Sequence, residues 1–199
     1  MTMAELKPCV LLSIKPKWCE LIASGKKTVE IRKTKPKIKT PFKCYIYCTK
    51  QNVPGEILLT YNKKVEWRNK GFRDDGDISL AGKVIGEFIC NEIYCRTLCN
   101  LVIKEDAEHT LKGTCLTREQ VLDYLGYQYG TNIYDCNNSD FYRWHISHLV
   151  IYDTPKDLKE FKKPCNETNL CYPDNCNRCG WNILLRPPQS WCYVEELES

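Results

Sequence analysis

No apolar run in this 199-residue sequence approaches the roughly 20 residues that a membrane-spanning helix needs, which argues against a helical membrane anchor. The first residues, MTMAELKPCVLLSIKPKW, lack the long apolar core and small-residue cleavage site of a secretory signal. Without an export signal, the fourteen cysteines are expected as thiols or metal ligands in a reducing compartment, not as a disulfide scaffold. The expected location is therefore the cytoplasm. Internal repeats and low-complexity tracts are also missing. Acidic residues are scarce where they would matter most. Between Gly25 and Lys50 stand nine Lys/Arg and a single acid, Glu30, although the net charge of the whole chain is only +4. Local basicity of this kind suits a polyanion such as nucleic acid; the alternative is a solvated lysine-rich loop.

What is present is ordinary for a globular protein, with 43% hydrophobic and 11% aromatic residues. The run CVLLSI (9–14) predicts a buried strand. In PKWCELIASGKK, Pro16 suits a first helical turn, and Trp18, Leu21 and Ile22 share one apolar face. Gly25 is the expected helix stop. TVEIRK alternates, with Val29 and Ile31 on one side and Thr28, Glu30 and Arg32 on the other, which predicts a half-buried strand. FKCYIYCTK and GKVIGEFICNEIYCR predict further strands, the second with Gly86 as a candidate bulge. Residues 51–80 read as one possible strand followed by an exposed, turn-rich excursion. LTREQVLDYLG carries a Thr117 cap, Gln120 at the capping-box position and Gly126 as a stop, and so predicts a helix. FYRWHISHLVIYD predicts a strand leading into a short helix at TPKDLKEF, and SWCYVEEL predicts the last strand. Because helices do not alternate regularly with strands, a doubly wound parallel fold is not expected. The expected class is α+β: a small mixed β-barrel with flanking helices.

A Glu and an Arg two apart on one strand point to the same face. Glu30 and Arg32 therefore form either an ion pair or part of a polar site. Gly25, Lys27, Glu30 and Arg32 also fit a G-x-K-x-x-E-x-R pattern placed after a first helix. With the flanking LLSIKPKW, GKVIGEF, FYRWHISHLVIYD and RPPQSWCYVEE, the chain resembles the ASCH domain of the PUA-like superfamily, in particular its phage and low-GC bacterial branch. The likeness spans about residues 8–161 and the final strand. It implies a β-barrel whose cleft, beside the first helix, receives RNA or a modified nucleobase. It also implies a nucleic-acid-binding set of Ser13, Lys15, Lys27, Glu30, Arg32, Lys33 and Trp144. Arginine and lysine can hold phosphates, a carboxylate can accept from an exocyclic amino group, and Trp18 or Trp144 can stack an unpaired base.

Some members of the family are amidohydrolases of N4-acetylcytidine, with a K-T-x-T-x-R strand, and others are linked to ribonuclease activity. Here Lys27 and Thr28 match that strand, but Glu30 stands where the second Thr would be. If the chain is an enzyme, Lys27 and Glu30 are the candidate catalytic residues, and the carboxylate would serve as a base, not as a hydroxyl nucleophile. His145 and His148 are further acid–base candidates, or structural histidines of an apolar strand.

Near the C-terminus, Cys165, Cys171, Cys176 and Cys179 are spaced C-x5-C-x4-C-x2-C. Four thiolates so close together can enclose one tetrahedral Zn²⁺; free thiols or disulfides are the alternative. A catalytic zinc of the base-deaminase type is not expected, because the H-x-E and P-C-x-x-C elements are missing. Cys44, Cys48, Cys90 and Cys95 are expected as small buried hydrophobes within strands. The expected organisation is a barrel core over 1–161, a Cys-rich, zinc-knuckle-like insertion over 162–187, and a final strand with an acidic tail over 188–199.

Overall fold

The computed structural model describes residues 8–102, 104–127, 140–164 and 182–197. The elements in chain order are β1 (Cys9–Ile14), α1 (Pro16–Ala23), β2 (Val29–Arg32), β3 (Phe42–Cys48), β4 (Gly55–Leu59), β5 (Val65–Asn69), β6 (Ile78–Ser79), β7 (Lys83–Arg96), α2 (Cys99–Val102), α3 (Lys104–Leu111), α4 (Arg118–Leu125), β8 (Phe141–Asp157) and β9 (Trp191–Val194). Six strands form one sheet in the order β2-β8-β7-β3-β1-β9, and β5-β4-β6 form a second. Among the described residues only the β1–β3 pairing is parallel. No helix among the described residues is long and apolar enough to cross a membrane.

Both faces of the main sheet are covered, which is why CVLLSI is apolar at nearly every position. Val10, Leu12 and Ile14 enter a core with Cys19 and Ile22 of α1, Ile57 and Leu59 of β4, and Trp144. Cys9 and Leu11 face the opposite way, toward Tyr45, Phe161 and Val194. A third cluster packs Ile31 and Phe141 against Leu98, Leu101, Val121 and Leu122, the apolar sides of α2 and α4. Cys44, Cys48 and Cys90 are buried as expected of small hydrophobes, whereas Cys95 is exposed.

The closed barrel is not found. Among the described residues no backbone ladder joins the two outermost strands, β2 and β9. The sheet nevertheless curls strongly, because side chains span the gap. Arg32 Nη2 donates to the Ser13 carbonyl on β1 (2.8 Å), Trp191 Nε1 to Thr34 Oγ1 (2.9 Å), and the Lys37 N–H to Tyr193 Oη (2.7 Å). The physical reason lies in the sequence after Arg32. KTKPKIKTP carries two prolines, which donate no ladder hydrogen bond, so the chain leaves β2 as a strap instead of extending a partner for β9.

Several local expectations hold. Gly86 sits at a register shift between β7 and β8. The Thr117–Gln120 capping box and the left-handed Gly126 bound α4. Others are corrected. Residues 51–80 form three strands, and β8 continues through Asp157 into a single 3₁₀ turn at Leu158–Glu160 where a helix was expected. Pairing of Lys156 and Asp157 with the start of β7 draws that segment into the sheet. The helices α2 and α3 are not anticipated by any pattern in the sequence.

Between α3 and α4 the chain turns at Gly113 and docks on the start of β2, its carbonyl accepting from both Thr28 N–H (2.8 Å) and Val29 N–H (2.9 Å). Gly113 has φ +79°, and a Cβ there would lie 2.5 Å from Thr28 Oγ1. Gly25, which ends α1, has φ +72° with nothing within 4 Å of an added Cβ. Gly25→Ala is therefore expected to cost about 1–2 kcal/mol from backbone strain alone, and Gly113→Ala roughly 2–4 kcal/mol because overpacking adds to it. Urea unfolding of the two variants checks the ranking; equal losses would mean that the turn is not tightly seated on β2.

Candidate functional site

The site is built where α1 ends and β2 begins. After Gly25 the chain reverses, and the Lys27 N–H donates back to the Leu21 carbonyl (2.9 Å). This return carries the Lys27 side chain inward, leaving it 2% exposed. Its Nζ donates to the carbonyls of Thr114 (2.7 Å) and Val29 (2.8 Å) and meets Glu30 Oε2 at 3.2 Å. The other carboxylate oxygen, Oε1, meets Arg32 Nη2 at 3.2 Å. Arg32 in turn binds the Ser13 carbonyl across the gap between the sheet's two edges. One carboxylate thus bridges two cations, and all three groups are buried.

The strand expected to be half-buried is buried on both sides. Ile31 packs against α2 and α4, while Glu30 and Arg32 face the interior of the curled sheet. Register places Glu30 opposite Trp144 and Arg32 opposite Tyr142, so these four side chains share a face. The three ionised groups leave one net positive charge inside. Three buried donors have no partner among the described residues: Arg143 Nε, opposite Ile31 on the other face, and on this face Arg32 Nε and Trp144 Nε1. Unpaired buried N–H groups are costly, and here all three lie along the same β2–β8 ladder.

The residues predicted from sequence separate into two groups. Lys27, Glu30, Arg32 and Ser13 converge, with Ser13 Oγ also donating to the Pro188 carbonyl (2.6 Å). Lys15 and Lys33 are exposed, the first at the start of α1 and the second with its ammonium 5.2 Å from the Tyr124 ring centre. Trp144 does not fit the stacking role. It is fully buried, edge-on to Phe42 (5.8 Å) and tilted against Trp191 (6.0 Å), and offers no free face to a base. Packing at the centre of the core explains that placement. Trp18 is half-buried against the same core, with the ammonium groups of Lys17 at 5.0 Å and Lys27 at 5.5 Å from its ring.

Neither histidine joins the cluster. His145 lies opposite Val29, on the other face of the ladder, and its Nδ1 shares a hydrogen bond with Asn91 Oδ1 (2.8 Å); His148 Nδ1 lies 3.2 Å from Ser147 Oγ. Cys19 packs beneath α1 with Sγ 3.6 Å from the Ile14 carbonyl. Burial, then its hydrogen bond with Cys48, pushes its thiol pKa well above the usual range, which makes it a poor nucleophile. Cys165, Cys171, Cys176 and Cys179 lie outside the described residues. Among the described residues no group of three or more His, Cys, Asp or Glu side chains is placed to hold a metal.

The strap supplies what the sequence reading did not place. Lys33, Lys35, Lys37 and Lys39 are all exposed along it, and Lys35 lies 5.5 Å from the Tyr142 ring centre. Half-buried Trp191 and Tyr193 stand edge to face (5.4 Å) on β9 and hold the strap through Thr34 and Lys37. The alternation in SWCYVEEL already put Trp191 and Tyr193 on one face, but nothing local revealed that a basic loop runs beside them. At the far end of the strap a partly open cleft of about 420 Å³ is lined by Ile38, Lys39, Pro41, Phe42, Ile89 and Glu196, among others.

Comparison with known proteins agrees with this architecture. The ASCH domain family model matches residues 12–136, more than half of the chain. Two single-residue mutants of ZmASCH from Zymomonas mobilis, solved as crystal structures, are similar at 18% identity with a TM-score of 0.51. The alignments cover 94% of this chain and 90% and 88% of theirs. At that identity the likeness speaks for the fold alone. No curated protein matches the chain significantly.

Among the described residues Glu30 is the one carboxylate in contact with both buried cations, so Glu30→Ala strands two like charges in a desolvated interior. The expected loss is about 3–5 kcal/mol of folding stability. Lys27→Ala is expected to destabilise as well, because it leaves the Thr114 and Val29 carbonyls without this donor. Denaturant titration followed by circular dichroism measures both; unchanged midpoints would show that the cluster is not holding the fold.

Proposed function

The chain belongs to the ASCH domain family, and from that membership we propose that it binds single-stranded RNA or a modified nucleobase at the seam between β2 and β9, beside α1. The family is part of the PUA-like superfamily, whose domains are associated with nucleic acid. The observation that carries the reading is the strap: four exposed lysines interleaved with half-buried aromatic rings, running on directly from the strand that carries Glu30 and Arg32 of a buried cluster with a net positive charge. Lysines along an extended segment track a phosphate backbone, and rings at its edge stack unpaired bases without demanding a sequence. Behind them, the free N–H groups of Arg32 and Trp144 would donate to a carbonyl oxygen or ring nitrogen of a base that enters the seam.

The hydrolase reading draws less support from the same geometry. All three N–H bonds of the Lys27 ammonium already have acceptors, and both oxygens of Glu30 are engaged. Neither group is free to take a proton from a nucleophile in this arrangement. Thr28 is exposed, beside the Gly113 turn and not within the cluster. The binding role therefore has the stronger physical basis.

Binding of a fluorescent single-stranded RNA is expected to weaken steeply as salt rises, with a log–log slope of about −2 to −3 if the strap lysines contact three or four phosphates. The double substitution Lys33→Glu/Lys35→Glu is expected to leave the fold intact, because both side chains are exposed, and to flatten that slope by about 1–1.5. Anisotropy titrations in low and moderate salt read both effects. Absence of binding to any single strand at low salt would overturn the proposal.

A further inference from the structure

The seam does not account for the cleft at the far end of the strap. Its floor is apolar, formed by Ile38, Pro41, Phe42 and Ile89, and its volume of about 420 Å³ suits one planar heterocycle better than a peptide segment. Two charged side chains stand at its walls with unused capacity. Lys39 is exposed and has no ion-pair partner among the described residues. Glu196 accepts from Lys43 through Oε1 (2.8 Å), and its Oε2 has no hydrogen bond among the described residues. Lys43 itself is committed. It meets Glu87 at 3.2 Å as well as Glu196, and although burial opposes its charge, those two carboxylates hold its pKa above the ordinary lysine range. The cleft thus offers an apolar floor, one free acceptor and one free cation.

Position links these features to the proposed nucleic-acid site. The strap from Lys33 to Lys39 spans at most about 20 Å as an extended chain. A strand held by its lysines is led from the seam to the mouth of the cleft, and the phosphate of the nucleotide arriving there would meet Lys39.

We propose that this cleft is a second nucleotide subsite, selective for a base that carries an exocyclic amino group. The base lies against Ile38, Phe42 and Ile89, its amino group donates to Glu196 Oε2, and its phosphate is held by Lys39. The inference rests on the nucleic-acid reading of the strap and names the chemistry that the reading leaves open. A base without an amino group, such as uracil, would leave the Glu196 oxygen without that donor and bind less well.

The test compares fluorescent dinucleotides and hexanucleotides of oligo-adenylate and oligo-uridylate on the full chain. The wild-type protein should bind hexa-adenylate about fivefold more tightly than hexa-uridylate, the worth of one added hydrogen bond, and should discriminate less between the dinucleotides, which are too short to occupy seam and cleft together. Glu196→Ala should abolish the hexanucleotide preference; Lys43 keeps Glu87 as a partner in that variant. Lys39→Glu, an exposed change, should weaken both hexamers, because it removes the phosphate contact at the mouth of the cleft. If hexamers bind without a preference for adenylate, or if Glu196→Ala leaves that preference intact, the subsite is overturned while the strap reading survives. If no oligonucleotide binds the wild-type protein, both fall together.

Discussion

The carboxylate of Glu30 is the constraint on which the rest depends. Three ionised side chains are taken out of water within one turn and strand, and desolvating charges is affordable only where their partners are close and fixed. Glu30 supplies both partners at once, with one oxygen on Lys27 and one on Arg32. Each cation then extends the tie to backbone: Lys27 to the Thr114 turn, Arg32 to Ser13 on β1. The first links β2 to the α3–α4 connection. The second draws together two regions of a sheet that no ladder among the described residues closes.

That arrangement has a consequence for function. The groups that look most reactive in the sequence are the ones most fully occupied in the structure, while available chemistry lies outside them. The strap, forced out of the sheet by its prolines, carries the exposed lysines past Tyr142, Trp191 and Tyr193. The interior cluster sets where the strap runs, and the strap presents the charge. Such a division suits a binding surface, in which a rigid floor reduces the entropy lost on association. It suits proton transfer less well, since a general base needs a free lone pair at the moment of reaction.

How legible was this in the sequence? The helix 16–23, the strand carrying Glu30 and Arg32, the bulge at Gly86 and the capped helix after Thr117 all follow from local rules: period, proline position, capping chemistry and glycine stops. The family signature was visible in four residues. Harder cases share a cause. The helices α2 and α3 owe their burial to Ile31 and Phe141, which lie far away in sequence, and β8 extends past Ile151 because β7 is there to pair with it. Trp144 resembles a stacking platform when read alone, yet it becomes core because Phe42 and Trp191 close over it.

What the sequence by itself determined is the set of groups and their local order: a lysine, a glutamate and an arginine at the end of a short helix and along one face of a strand, followed by a basic, proline-broken segment. Period and chain stiffness dictate that much, because they act between near neighbours. Only the tertiary structure decided what those groups do. Curling of the sheet brought Ser13 to Arg32 and Thr114 to Lys27, which turned a choice between surface ion pair and open site into a buried bridge. The same curl set Trp191 and Tyr193 beside the strap. Contacts such as these, from 19 positions apart for Ser13 and Arg32 to 157 for Thr34 and Trp191, depend on how the whole sheet bends, and no local pattern encodes that bend.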